Sequence, residues 1–307
     1  MGTYILRRLL LAIPVVWGVA TAVFFLVFAT PGDPADRLMG HHPTEEARKA
    51  IEAKYRLDKP IFVQYGYFMG RLVQFDLGRS YAHKAKVSDI LLGRAGATIL
   101  LALTSVSIAV VVGMSLGCLA AYKQGSWLDG FVMAVSVLGV SVPVFWLGLI
   151  AILFFCSLLG VLPLPDPEIT PRHLILPALT LSALLVGYIA RMTRSSILEV
   201  IRQDYIRTAR AKGLSKPVVF FRHGLRNALI PVVTVIGLNL ASLLGGAIAT
   251  ETVFAWPGIG RAMFQAVSER DVPLIEGGVI MLALIFVVAN IVVDVSYAVL
   301  DPRIRLK

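Results

Sequence analysis

Six apolar runs, each close to the length needed to cross a bilayer, constrain this chain more than any other feature. A helix rises about 1.5 Å per residue, so about 20 apolar residues cross a hydrocarbon core of about 30 Å. Inside that core every backbone N–H and C=O must be satisfied within the segment, which favours helices. The runs are Leu9 to Ala29, Thr98 to Tyr122, Phe131 to Leu159, Leu174 to Ala190, Ala228 to Thr250 and Gly277 to Leu300. The fourth is short and carries Pro177 near its start, and Asp294 interrupts the sixth near its end. With 57% hydrophobic and 16% charged residues and a mean hydropathy of +0.78, the chain has more apolar surface than a soluble domain of its length needs for a core. The expectation is an all-α integral membrane protein with about six transmembrane helices.

The formal charge of +10 is distributed as a membrane protein distributes it. Basic residues lie between the apolar runs and form no stripe interleaved with aromatics, so nucleic acid is not an expected partner and membrane lipid is. The segment 191–226 carries Arg191, Arg194, Arg202, Arg207, Arg210, Lys212, Lys216, Arg222 and Arg226 against Glu199 and Asp204. It is expected to be cytoplasmic. Glu251 to Glu276 carries Arg261 and Arg270 against four acids and suits the outer face. Arg7 and Arg8 before the first run, and Arg303, Arg305 and Lys307 after the last, place both termini inside. The expected division is an N-terminal transmembrane helix at 1–30, an external insert at 31–97, and a five-helix core at 98–307 with a cytoplasmic loop at 191–226. The first apolar run is too long for a cleaved signal peptide and no small-residue cleavage pattern closes it.

Within the insert, Thr44 is placed to cap a helix with Glu45 and Glu46 in its first turn and Ile51 and Tyr55 on one face. His41 and His42 have no carboxylate or cysteine at ligand spacing, and Cys118 and Cys156 both sit inside apolar runs, so no metal site is expected. The segment between the fourth and fifth runs is more informative. Asp204 can cap a short helix over Tyr205 to Lys212, Gly213 falls where a left-handed C-terminal cap belongs, and Lys216-Pro217 stops it. A helix of about eight residues is unstable alone in water, so it must pack on this chain, on lipid head groups or on another protein.

That segment, Asp204-Tyr205-Ile206-Arg207-Thr208-Ala209-Arg210-Ala211-Lys212-Gly213-Leu214, followed by Leu225-Arg226-Asn227-Ala228-Leu229-Ile230-Pro231, resembles the coupling loop of ABC-importer permeases. Arg207-Thr208-Ala209 stands where importers at large carry Glu-Ala-Ala before the glycine, the variant found in the dipeptide, oligopeptide and nickel branch. Pro31-Gly32-Asp33-Pro34, Leu57-Asp58-Lys59-Pro60, Ile175-Leu176-Pro177-Ala178-Leu179, Ala190-Arg191-Met192-Thr193-Arg194-Ser195-Ser196, Phe254-Ala255-Trp256-Pro257-Gly258-Ile259-Gly260-Arg261 and Asp301-Pro302-Arg303-Ile304-Arg305 are similar, in order and spacing, to the first permease subunit of that branch.

The resemblance implies half of a translocation pathway for di- or oligopeptides in a bacterial inner membrane. It also implies a second homologous permease, two cytoplasmic ATPase subunits or domains, and an extracytoplasmic binding protein. The residues from Asp204 to Leu214 would couple to the ATPases, with Arg207, Arg210 and Lys212 pairing with acids on the partner and Ala209 and Gly213 permitting close approach. Glu251, Phe254, Trp256, Pro257, Gly258 and Arg261 belong either to an outer gate or docking face, or to a tight structural turn. Mild groups, chiefly Ser141, Thr234 and Asn239 together with Ser105, Ser107 and Ser136, are candidates for lining the path. No G-x-x-x-x-G-K-[ST] loop occurs, so ATP and Mg would be used by partner subunits, and the chain itself is expected to be neither enzyme nor cofactor binder. Nickel or other metal chelates and glutathione are alternative cargoes on the same architecture. An ion-coupled secondary transporter is the alternative of another class, for which Asp294 is the strong ionisable candidate.

Overall fold

The computed structural model describes residues 2–29 and 59–300. The expectations placed on His41, His42, Thr44 and the chain from Asp301 onward lie outside the described residues. Helices dominate the described chain. They are α1 (Gly2–Ala29), α2 (Ile61–Val73), α3 (Val87–Tyr122), α4 (Trp127–Ser141), α5 (Val144–Ala151, continuing as a π-helix over Ile152–Leu158) and α6 (Pro171–Ile201). After α6 come α7 (Asp204–Ala211), α8 (Lys216–Val218, running into a π-helix at Val219–Leu225), α9 (Arg226–Val253), α10 (Ile259–Glu269) and α11 (Val272–Leu300).

Four of these are long and apolar enough to cross a membrane, at Leu6–Ala29, Val87–Tyr122, Pro171–Ile201 and Val272–Val292. The α4 and α5 pair makes a fifth if it counts as one broken span. The apolar run from Phe131 to Leu159 is therefore not a straight rod: its halves meet at 106°. Val142 is extended and Pro143, with φ −59°, starts the second half without an N–H to offer the preceding turn. Helix α3 begins at Val87 rather than Thr98, and its 36 residues reach about 54 Å, more than the bilayer core requires. Helix α6 runs on to Ile201, so Arg191 and Arg194, which the sequence reading placed in the loop, are helical. The 28-residue α9 covers the fifth apolar run.

The chain forms two units. In the first, built mainly from 97–261, Leu101 and Ala109 of α3, Leu181, Leu185 and Ile189 of α6, and Val232, Leu243 and Ala247 of α9 make one buried cluster. Helices α3 and α6 approach closely because Gly113 and Gly117 are four residues apart; a Cβ on Gly117 would lie 2.5 Å from the Ala190 carbonyl oxygen. Helix α4 is fastened to α6 by a bidentate pair. Arg194 Nε and Nη2 donate to Asp129 Oδ1 and Oδ2 at 2.5 and 2.7 Å, and the Gly125 amide donates to Oδ2 at 3.1 Å. A carboxylate this buried is tolerated because every oxygen has a donor.

In the second unit, 6–96 with 262–285, Ala20 and Phe24 of α1 pack with Phe68 of α2 and Ile280 of α11, and Thr21 and Tyr65 share a 2.8 Å hydrogen bond. Asp271 caps α11, accepting from the Leu274 amide at 3.4 Å. It also collects the turn before α3, accepting from Ser80 Oγ and from the amides of Tyr81 and Ala82 at 3.1 and 3.2 Å. Helix α2 was not anticipated, although Pro60 just before it and Ile61, Tyr65, Phe68 and Leu72 at helical spacing signal it in the sequence.

Candidate coupling site and the Glu251 turn

The short helix expected between the fourth and fifth runs forms as α7, eight residues long. Its cap differs from the expectation: Gln203 occupies the N-cap position and Asp204 is the first helical residue. Asp204 still places an acid where the helix dipole favours one, and it accepts from Arg207 Nη1 at 3.5 Å on an open surface. The C-terminal end follows the glycine signal. Gly213 has φ +77°, its amide donates to the Arg210 carbonyl at 3.0 Å, and the Leu214 amide donates to the Ala209 carbonyl at 3.4 Å. These two bonds close a Schellman motif, whose left-handed residue disfavours any side chain.

What α7 packs on is its own chain. Ile206 is fully buried and Ala209 nearly so, both against Val219 of the π-helical segment. Asn227 Nδ2, on the second residue of α9, donates to Tyr205 Oη at 2.8 Å and to the His223 carbonyl at 3.2 Å. Helix α7 is thus fixed to a rod in which α8, the π-helix and α9 follow without a break. The small side chain at Ala209 is taken up in this internal packing. At about 100° per residue, Arg210 falls about 40° from Ile206 on the inward flank, while Asp204, Arg207, Thr208 and Ala211 form the exposed outer face.

The residues from Glu251 to Arg261 make a different object. Glu251 lies within the last turn of α9 and has no exposed surface. Its Oε1 accepts from Thr98 Oγ1 at 2.7 Å and its Oε2 from the Arg261 amide at 3.0 Å, while Thr98 Oγ1 accepts from the Ile259 amide at 2.9 Å. Trp256, 1% exposed, donates through Nε1 to the Ala97 carbonyl at 2.9 Å, and Arg261 Nη1 donates to the Ala255 carbonyl, where φ is +54°. A Cβ on Gly260 would stand 2.6 Å from the Ile248 Cα, so the turn lies directly on α9. Phe254 and Gly258 are buried as well, and Pro257 and Arg261 half-buried. This geometry is that of a tight turn with Glu251, Phe254, Trp256 and Gly258 buried.

Among the path candidates, Ser141 is exposed beside the α4–α5 bend and donates to the Val137 carbonyl at 2.9 Å, and Asn239 is half-buried on α9. The side chain of Thr234 lies outside the described residues, as does that of Asp294. Ser105, Ser107 and Ser136 donate back to carbonyls of their own helices at 2.7, 2.8 and 2.7 Å.

The family model described as "Binding-protein-dependent transport system inner membrane component" matches residues 113–306, and its N-terminal companion matches 1–102. The chain belongs to this permease family. It is a multi-pass protein of the bacterial inner membrane and a membrane subunit of an ABC transporter, which works with ATPase and substrate-binding partners. The dipeptide transport system permease protein DppB of Alkalihalophilus pseudofirmus is 41% identical over 99% of this chain and 100% of its own length. The di/tripeptide permease protein DppB of Pseudomonas aeruginosa is 42% identical over 99% of both chains, and the glutathione permease protein GsiC of Escherichia coli 41% identical over the whole of both. Among solved structures, the MetNI methionine ABC transporter aligns with a TM-score of 0.54 at 20% identity, over 69% of this chain and 96% of that one. An amino acid ABC transporter aligns at 0.51 and 15%, over 71% and 95%. At these identities the structures speak for the fold.

Besides α2, three features of this permease escaped the sequence reading. The Asp129–Arg194 pair joins residues 65 apart, although Ser126 and Asp129 already have the spacing of a capping box. Thr98 stood at the edge of an apolar run, where nothing distinguishes a hydroxyl that anchors a carboxylate from one that faces lipid. The π-helix at Val219–Leu225 has no compositional signature.

Proposed function

We propose that the chain forms half of the pathway of an ATP-driven importer for di- or oligopeptides, with six spans and both termini in the cytoplasm. On this reading the outer face of α7, made of Asp204, Arg207, Thr208 and Ala211, seats on a cytoplasmic ATPase. Movement of that subunit reaches the membrane through Tyr205, Asn227 and the π-helical segment into α9. One observation carries the reading: a short helix, closed at its C-terminal end by Gly213, whose apolar side is packed on the rod leading into α9 while its polar side is left open. A second homologous permease, two ATPase subunits or domains and an extracytoplasmic binding protein complete the machine, and ATP and Mg belong to the ATPases. Peptide as cargo is supported by the names of the dipeptide and di/tripeptide relatives. The glutathione relative supports a second reading in which the cargo is that γ-linked tripeptide.

The test is ATP-dependent uptake into proteoliposomes holding the complete importer and its binding protein, with labelled dipeptide, glutathione and nickel chelate compared side by side. Dipeptide uptake that requires ATP supports the reading. Uptake driven by an ion gradient without ATP replaces it with a secondary transporter.

A further inference from the structure

Beneath the inward flank of α7 lies a cavity of about 530 Å³, bounded among others by Tyr122, Ile201, Leu214 and Phe220, with Arg210 and Lys216 in its wall. That volume lies within the range of sites that hold small organic molecules, about 300–1,000 Å³. Tyr122 is the last residue of α3 and Ile201 the last of α6, so two helices of membrane-spanning length end at this cavity. Its lining combines apolar side chains with the two cations. No ion pair among the described residues engages Arg210 or Lys216, and the segment from Arg191 to Arg226 holds only Glu199 and Asp204 as acids, the latter facing Arg207.

We propose that this cavity binds an anionic phospholipid, with its phosphate on Arg210 and Lys216 and the first part of an acyl chain against Tyr122, Ile201 and Phe220. The occupant must be amphiphilic, because a free anion leaves the apolar wall bare. An acidic side chain of an ATPase is a poorer match, because most of the outer face of α7 is turned away: Thr208, Asp204 and Ala211 lie about 160°, 120° and 100° around the helix from Arg210, and Arg207 about 60°. A lipid here would tie together the ends of α3 and α6, the coupling helix and the π-helical segment. The site goes beyond the proposed import function and rests on it only for which leaflet supplies the lipid.

The experiment uses the assembled importer in nanodiscs of phosphatidylcholine with a minority of phosphatidylglycerol, and counts retained lipids by native mass spectrometry. Each cation near an anionic head group is worth about fivefold, so the R210Q/K216Q double variant is expected to lose about twenty-fivefold in retained phosphatidylglycerol relative to phosphatidylcholine. R202Q/R222Q removes two cations of the same segment that do not line the cavity, and is expected to retain the lipid as wild type does. Millimolar inorganic phosphate is expected not to displace it. Equal loss in both variants means diffuse attraction to a basic segment and overturns the proposal. Displacement by phosphate makes this a free-anion site and overturns it too, as does unchanged retention in R210Q/K216Q. If that variant instead sheds the ATPase subunits while keeping its lipid, Arg210 belongs to the partner interface and the proposal fails.

Discussion

The coupling segment and the Glu251 turn are both loop-like in sequence, and they are built in opposite ways. From Asp204 to Leu225 the chain buries a few small contacts, at Ile206, Ala209, Val219 and Phe220, and leaves most of its polar groups open. From Glu251 to Arg261 it buries a carboxylate, an indole and the backbone of a turn, and gives each polar group a defined partner. Local stability follows burial and satisfied hydrogen bonds, so the first can shift at low cost and the second cannot.

Substitutions break this contrast in a graded order. Glu251→Ala should have the largest effect, about 3–5 kcal/mol, because it orphans Thr98 and the Arg261 amide in a dry interior. It should appear as loss of the monodisperse, folded species in detergent. Asp129→Ala leaves the Arg194 guanidinium without its bidentate partner; since Arg194 is 27% exposed, the expected loss is smaller, about 2–3 kcal/mol, read as a lower melting temperature. Gly213→Ala forces a side chain into φ +77° with open space around it, costing about 1–2 kcal/mol confined to α7. Hydrogen exchange on the α7 amides should rise while the α9 amides stay protected, and Gly213→Asn should restore most of the difference, since asparagine tolerates the left-handed region. Asp204→Asn removes a surface pair with Arg207 and one charge at the start of α7, and should lower stability by less than about 1 kcal/mol, the smallest shift in melting temperature of the four. A large effect there would mean that α7 is held more firmly than its packing accounts for.

The apolar runs were legible because length and hydropathy act over 20 residues at a time and need no knowledge of neighbours. The Schellman end at Gly213 was legible for the opposite reason: one backbone angle leaves glycine as the favoured residue. The break at Pro143 was only half visible, since proline is tolerated within spans when other groups replace the missing bond, and whether they do depends on tertiary packing. The distinction between a docking loop and a buried knot at Trp256 was not legible at all. Its outcome depends on Thr98 and Ala97, more than 150 residues away in the chain. The division of α7 into an inward flank with Arg210 and an outer face with Arg207 likewise waited on seeing which residues Val219 covers.

The outer face of α7 is the central claim, and Ala211→Trp tests it most directly, because Ala211 is exposed on that face. The measurement is binding-protein-stimulated ATP hydrolysis by the complete importer in lipid, with subunit stoichiometry checked on the same sample. The account predicts that the variant inserts and melts as wild type does but loses its stimulation or sheds its ATPase subunits. Full stimulation with the tryptophan in place would contradict it.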